Sequence, residues 1–209
     1  MAQRIVFFIC LIACLVIGHR ALAQEFSADV TSTKGGGAGI NKIYSSNNKV
    51  RFESQSQNAM GPTAIILDES QHKNIALMPE RHMYIDAPLP MVKPIITQFW
   101  RVDDPNNACS QWKTAAQQAG TDQNWGSCTK VGADTVNGRD TVKYEGVSKK
   151  GEKTHVWVDT KLHCVIKTED SGGTMEFKNI KEGAQPASLF EIPSDYTKFD
   201  MGSMMNKQR

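Results

Sequence analysis

Between residues 26 and 87 apolar residues recur at every second position: Val50 and Phe52, Ile65 and Leu67, Ile75 and Leu77, Met83 and Ile85. Successive side chains of a strand point to opposite faces, so this period predicts strands with one greasy and one polar face. The runs read FSADVTSTK, AGINKIYSS, NKVRFESQ, TAIILD, KNIALMP and HMYIDA. Turn-forming residues part them: glycines at 35–37, Asn47-Asn48, Gly61-Pro62, residues 69–71 and Pro79-Glu80. The pattern predicts an antiparallel meander.

Residues 87–120 change character. Pro88, Pro90, Pro94 and Pro105 interrupt any regular element, and then a helix is expected from a cap near Asn107 to Gly120. Strands return from Ser127. Asn137-Gly138 marks a tight hairpin inside TVNGRDTVKYEGV, and KTHVWVD, LHCVIKTE, TMEFKNI and SLFEIPSDYTKFDM follow. Residues 202–209 read as a tail on a single domain over 24–201.

The stretch VWVDTKLHCVIKTE places Asp159, His163 and Cys164 within six residues, which raises a thiol site. Alternation argues otherwise. With Leu162, Cys164 and Ile166 as the buried row, His163 falls on the other face beside Val165 and Lys167, so thiol and imidazole point apart. Cys164 is expected as an unpaired core residue, and His155 across the hairpin from His163 or Lys167. The same opposed faces argue against a metal held by His155, His163 and Cys164. Residues 32–39, STKGGGAG, lack the Gly-Lys-Ser/Thr ending of a phosphate loop and read as a connection. Asp103 and Asp104 before Pro105 read as a turn into the helix. Trp100, Trp112 and Trp125 gather around the helix, as core or as ligand contacts.

The N-terminus carries basic Arg4, the apolar run IVFFICLIACLVIG and the small-residue end of residues 21–23, the three parts of a secretory signal cleaved near Ala23. A rival processing box, LIAC, would instead lipidate Cys14, although the apolar run continues through Ile17. No later stretch has the length of a membrane helix. Removing Arg4 and Arg20 with the signal brings the formal charge from +2 to zero, which speaks against nucleic acid as a partner. Export implies oxidising surroundings, where Cys109 and Cys128 are expected to form a disulfide around SQWKTAAQQAGTDQNWGS, leaving Cys164 unpaired.

A long meander with one apolar face needs a cover, and the helix with the Pro-rich stretch supplies one. The sheet then either closes into a barrel or curls around that cover. Either way it presents a concave apolar surface. Its expected ligand-binding lining is Val50, Phe52, Ile65, Leu67, Leu77, Met83, Ile85 and Trp100, with Met60, Met78 and Met91 adding adaptable area.

VWVDTKLHCVIKTEDSGGTMEFKNIKEGAQPASLFEIPSDYTKFD resembles the C-terminal half of the LolA-like periplasmic lipoprotein carriers. It has a strand ending in aromatic-x-Asp, a turn, a strand ending in a charged residue, a Gly hairpin, a strand closing in Asn-Ile, then Leu-Phe and a Pro before the last strand. INKIYSSNNKVRFES resembles the family's second and third strands. Within the family the chain looks most like a branch of exported bacterial proteins with this fold and no established activity. The resemblance implies a mainly β fold: a curled antiparallel sheet forming an unclosed half-barrel covered by a short helical segment, with a cavity for acyl chains. In the carriers an arginine at the end of the second strand helps lock the helical lid. Ser46 stands there in this chain, and Arg51 matches a common basic position of the next strand, on the polar face opposite Phe52.

These readings give a non-enzymatic periplasmic protein that binds a lipid or acylated protein ligand on the concave face, as a carrier or sensor, with no cofactor and no metal. The alternative is an envelope protein-interaction or stress-sensing module of the same fold without a lipid cargo. A thiol or acid-base hydrolase is the third reading.

Overall fold

A computed structural model describes residues 25–33, 39–55, 63–88, 92, 101–118, 120 and 122–199. Six strands precede the helix: β1 Phe26–Ser32, β2 Ile40–Ser46, β3 Lys49–Ser54, β4 Thr63–Asp68, β5 Lys73–Met78 and β6 Met83–Asp86. The helix α1, Ala108–Gln118, is followed by β7 Trp125–Val136, β8 Arg139–Ser148, β9 Lys153–Asp159, β10 Val165–Asp170, β11 Gly173–Glu182 and the short β12 Thr197–Lys198. They form one sheet in the order β12-β6-β5-β4-β3-β2-β1-β11-β10-β9-β8-β7. Neighbours are antiparallel except β12, which lies parallel to β6. The sheet does not close, and its curl gives the expected half-barrel. Each meander is stitched by local hairpins, and β1 beside β11 joins the two halves.

Tight turns fix the register. Asn47 (φ 51°) connects β2 to β3, and Asn137-Gly138 (φ 51° and 75°) connects β7 to β8. At Asn137-Gly138 the positive φ at both central residues gives the turn whose twist matches that of the strands. Bulges then bend the sheet: pairing shifts in β2, in β7, in β11 opposite β1, and in β10, where Lys167 and not Ile166 faces Trp157.

The concave face carries Phe26, Ala28, Val30, Ile43, Phe52, Leu67, Met175 and Phe177 on one side and Val142, Tyr144, Val158 and Val165 on the other. Over the second group lies α1. Its buried residues Ala108, Trp112 and Ala116 are four apart and share one face. The convex face is also covered, along β4 and β5. Ala64, Ile66, Ile75 and Leu77 pack there under Phe190, with Leu189, Ile192 and Tyr196 around it. The C-terminal segment that supplies this cover is held by the Arg51 guanidinium on the Leu189 carbonyl (3.0 Å), by backbone bonds from Thr197 to His82 and from Phe199 to Tyr84, and by Lys198 against Asp86.

Three local expectations change. LHCVIKTE becomes a strand only at Val165, because the buried Asp159 carboxylate accepts the N–H groups of Lys161 (2.9 Å) and Leu162 (2.7 Å) and holds the preceding residues in a turn that leaves His163 at φ 53°. SLFEIPSDYTKFDM forms a helical turn and an extended cover with only two residues of strand, because its apolar side chains pack onto the convex face instead of lengthening the sheet. His155 sits opposite Glu145 and Glu169, not His163 or Lys167, since the bulge aligns Lys167 with Trp157.

Candidate ligand-binding site

Two elements anchor the helix over the concave face. Tyr144 of β8 is buried, donates its hydroxyl to the Pro105 carbonyl (2.6 Å) and accepts the Ala108 N–H (3.3 Å), which satisfies one unpaired donor of the first helical turn. Burial pushes the Tyr144 phenol above its ordinary pKa, so it stays neutral. The Cys109–Cys128 disulfide ties the same turn to β7, with Cα atoms 5.6 Å apart. Asp104 shapes the turn before the helix as expected, accepting from the Asn106 N–H at 2.8 Å.

Trp112 projects from this anchored helix into the concavity, its ring 5.4 Å from that of Tyr144 at 72°. It stands between two cavities. One, of about 350 Å³, is lined by Trp112, Trp125, Cys128, Tyr144, Gly146, Val156, Val165 and Thr168, with Ser148 and Glu152 at its margin. The other, of about 310 Å³, is lined by Phe26, Ile43, Val50, Phe52, Leu67, Trp112, Cys164, Val165 and Phe177, with Ser45, Glu69, Arg101 and Gln111 as its polar members. Both volumes lie at the lower end of the range of small-molecule sites.

Segment 101–102 crosses the second cavity from rim to rim. Its backbone bridges to Cys164 and donates from Val102 to the His163 carbonyl at 2.8 Å. On the opposite rim the Arg101 guanidinium bonds the Ser45 hydroxyl and, at 3.2 Å, the Asn47 carbonyl. Arg101 thus reaches the end of β2 from the helix side, through one serine hydroxyl and one carbonyl of the turn that follows. Ser46 itself donates to Glu25 (2.6 Å).

Of the expected lining residues, Val50, Phe52 and Leu67 line the second cavity, while Ile65, Met83 and Ile85 belong to the same apolar cluster but line neither cavity. Leu77 lies on the opposite face. It pairs with Ala64 and Tyr84 and packs beneath the C-terminal cover, so its place in a concave lining is corrected. In KNIALM both rows are apolar because both faces are buried, and alternation alone cannot choose between them. Met78 faces Met83 across β5 and β6. Trp100, Met60, Met91, residues 35–37 and the signal segment with Cys14 lie outside the described residues.

Phe177 and Tyr144 were legible as inner-row residues of TMEFKNI and TVKYEGV, although the sequence reading did not name them. Arg101 carries no such signal, since its partners Ser45 and Cys164 are distant in sequence. Cys164 is buried and unpaired, its thiol pushed up to about 12 by burial. Among the described residues no histidine lines either cavity, and no three His, Cys, Asp or Glu side chains gather as a metal cage.

No protein family and no curated protein matches the chain. Solved structures do. An uncharacterized conserved protein from Thermus thermophilus superposes with a TM-score of 0.51 at 10% identity, over 85% of this chain and 91% of that one. PNGF-II aligns with a TM-score of 0.45 at 11% identity over 88% of this chain, which spans 32% of the length of PNGF-II. The Pseudomonas aeruginosa MucA/MucB complex gives 0.38 at 13% identity, over 83% of this chain and 59% of the matched one. At these identities the likeness is one of fold alone. No described helix is long and apolar enough to cross a membrane.

Proposed function

We propose that the protein is a non-enzymatic, exported binding protein that takes an apolar or acylated ligand between α1 and the concave face of its half-barrel, as a carrier in the periplasm after signal removal near Ala23. The observation that carries this reading is the pair of apolar-walled cavities on either side of Trp112, which the described residues of the cover leave open. Burying acyl chain there contributes about 0.8 kcal/mol per methylene. The buried, protonated Cys164 thiol and the histidine-free lining support binding over covalent chemistry. Val50, Phe52 and Leu67 are the proposed contacts for the chain, with Ile65, Met83 and Ile85 shaping the sheet behind them.

Native mass spectrometry of the protein purified from an expressing cell, followed by organic extraction, tests the proposal. A discrete lipid or acyl-peptide adduct is the expected result. A bare mass that persists after incubation with envelope lipid overturns it.

A further inference from the structure

The second cavity is apolar except at one end, and the chemistry of that end selects a head group. Arg101 enters it with five guanidinium N–H donors, of which the bonds to Ser45 and Asn47 engage two. The others have no partner among the described residues. Gln111 of α1 lines the same cavity. Its carbonyl oxygen accepts the Asp103 N–H at 2.7 Å, which fixes the amide so that the NH2 end is left to donate. The one acid in the lining, Glu69, belongs to an exposed turn where water screens it, whereas Arg101 is half-buried. A fixed cation and an amide donor at the end of an apolar slot complement an anion attached to a hydrocarbon chain.

We propose that this cavity binds a single-chain anionic amphiphile, with its carboxylate or phosphate on Arg101 and Gln111 and its chain running along Ile43, Phe52 and Phe177. This deepens the reading of the concave face as a lipid site and rests on it. The bonds to Ser45 and Asn47 hold the Arg101 guanidinium, so it is positioned before the ligand arrives and little ordering is left to binding.

The test is displacement of 1-aminoanthracene, a neutral probe that fluoresces in apolar surroundings, from the purified, delipidated protein. Three competitors share one oleoyl chain: oleate, oleoyl lysophosphatidate and uncharged monoolein. Both anions are expected to displace the probe at roughly tenfold lower concentration than monoolein. The stronger of the two names the head as carboxylate or phosphate. Added salt should weaken the anions and leave monoolein unchanged. Arg101→Gln should abolish the preference of both anions over monoolein, and Arg101→Lys should restore part of it. Because Arg101 also ties segment 101–102 to the end of β2, the salt series on the unsubstituted protein stands as an independent measurement. Equal displacement by oleate and monoolein, insensitive to salt, overturns the head-group site while leaving an apolar cavity in place. Failure of the probe and of all three competitors to bind overturns the lipid site itself and this inference with it.

Discussion

The hydroxyl of Tyr144 accepts the Ala108 N–H at 3.3 Å and so fixes where the covering helix begins. The same oxygen donates to Pro105, and the ring backs Trp112, so one residue of the sheet sets the position of the partition between two cavities. Tyr144→Phe leaves a buried N–H and a buried carbonyl without their partner. Urea unfolding should show a loss of about 1–3 kcal/mol. A cost within error would mean that water replaces the hydroxyl and that the helix is held elsewhere.

The disulfide closes a loop with a sequence separation of 19 that contains the whole of α1 beyond its first residue. In the chain-entropy model such a closure contributes about 3 kcal/mol. Thermal melts with and without reductant, and of a Cys109→Ser, Cys128→Ser double variant, should place the reduced protein and the variant together, well below the oxidised protein. Coincident melts in all three would remove the disulfide from the stability of the fold.

The two faces can be separated by substitution. Leu77→Ala opens a void beneath Phe190 on the convex side and should cost about 2–5 kcal/mol without altering ligand affinity at temperatures where the variant is folded. Phe52→Ala enlarges the second cavity and should change affinity as well as stability. Equal effects of both substitutions on affinity would contradict a concave site.

Acid should unfold the protein through its carboxylates. Asp68 is held below its ordinary pKa: burial pushes it up, but bonds from Ser70, the Gln71 N–H and Lys49 outweigh that. Glu182 is lowered by Lys161 and, against some burial, by Arg139. Groups depressed in the folded state give stability that is complete above their unfolded values, 3.8 for Asp and 4.5 for Glu, and is lost as pH falls through the folded ones. Urea midpoints should be flat near neutrality and drop below about pH 4.5. Asp68→Asn should shallow that drop, and an unchanged acid limb would show that the ion pairs contribute nothing.

Cys164 offers a check on burial. With its thiol pushed up to about 12, it should resist alkylation in the folded protein near neutral pH and react once the chain is unfolded. Rapid modification of the native protein, read by mass, would show that the wall of the second cavity opens freely.

Much of this architecture was legible in the sequence where one face of a strand is buried and the other wet. Val50 with Phe52 declares its row, and Asn137-Gly138 declares its turn. Legibility failed where that condition failed. Ile75 and Leu77 read as one row with the concave residues because β5 is buried on both faces, and only the distant Phe190 shows which row belongs to which core. The bulge at Ile166 cannot be read from alternation, since a strand of the same composition could pair without it. The polar end of the second cavity was invisible for another reason. The contact of Arg101 with Ser45 joins residues 56 apart and follows no period, so it appears only once the sheet has curled.

A ligand chain lying against Trp112 within the concavity brings a brominated fatty acid close enough to quench tryptophan fluorescence. Trp112 and Trp125 line the cavities, whereas Trp157 faces the other way, its ring between the ammonium groups of Lys143 (4.6 Å) and Lys167 (4.5 Å). Saturable quenching is expected, surviving Trp157→Phe and losing its larger part in Trp112→Phe. Absence of quenching, or quenching that vanishes with Trp157 and persists without Trp112, would contradict a ligand chain at Trp112.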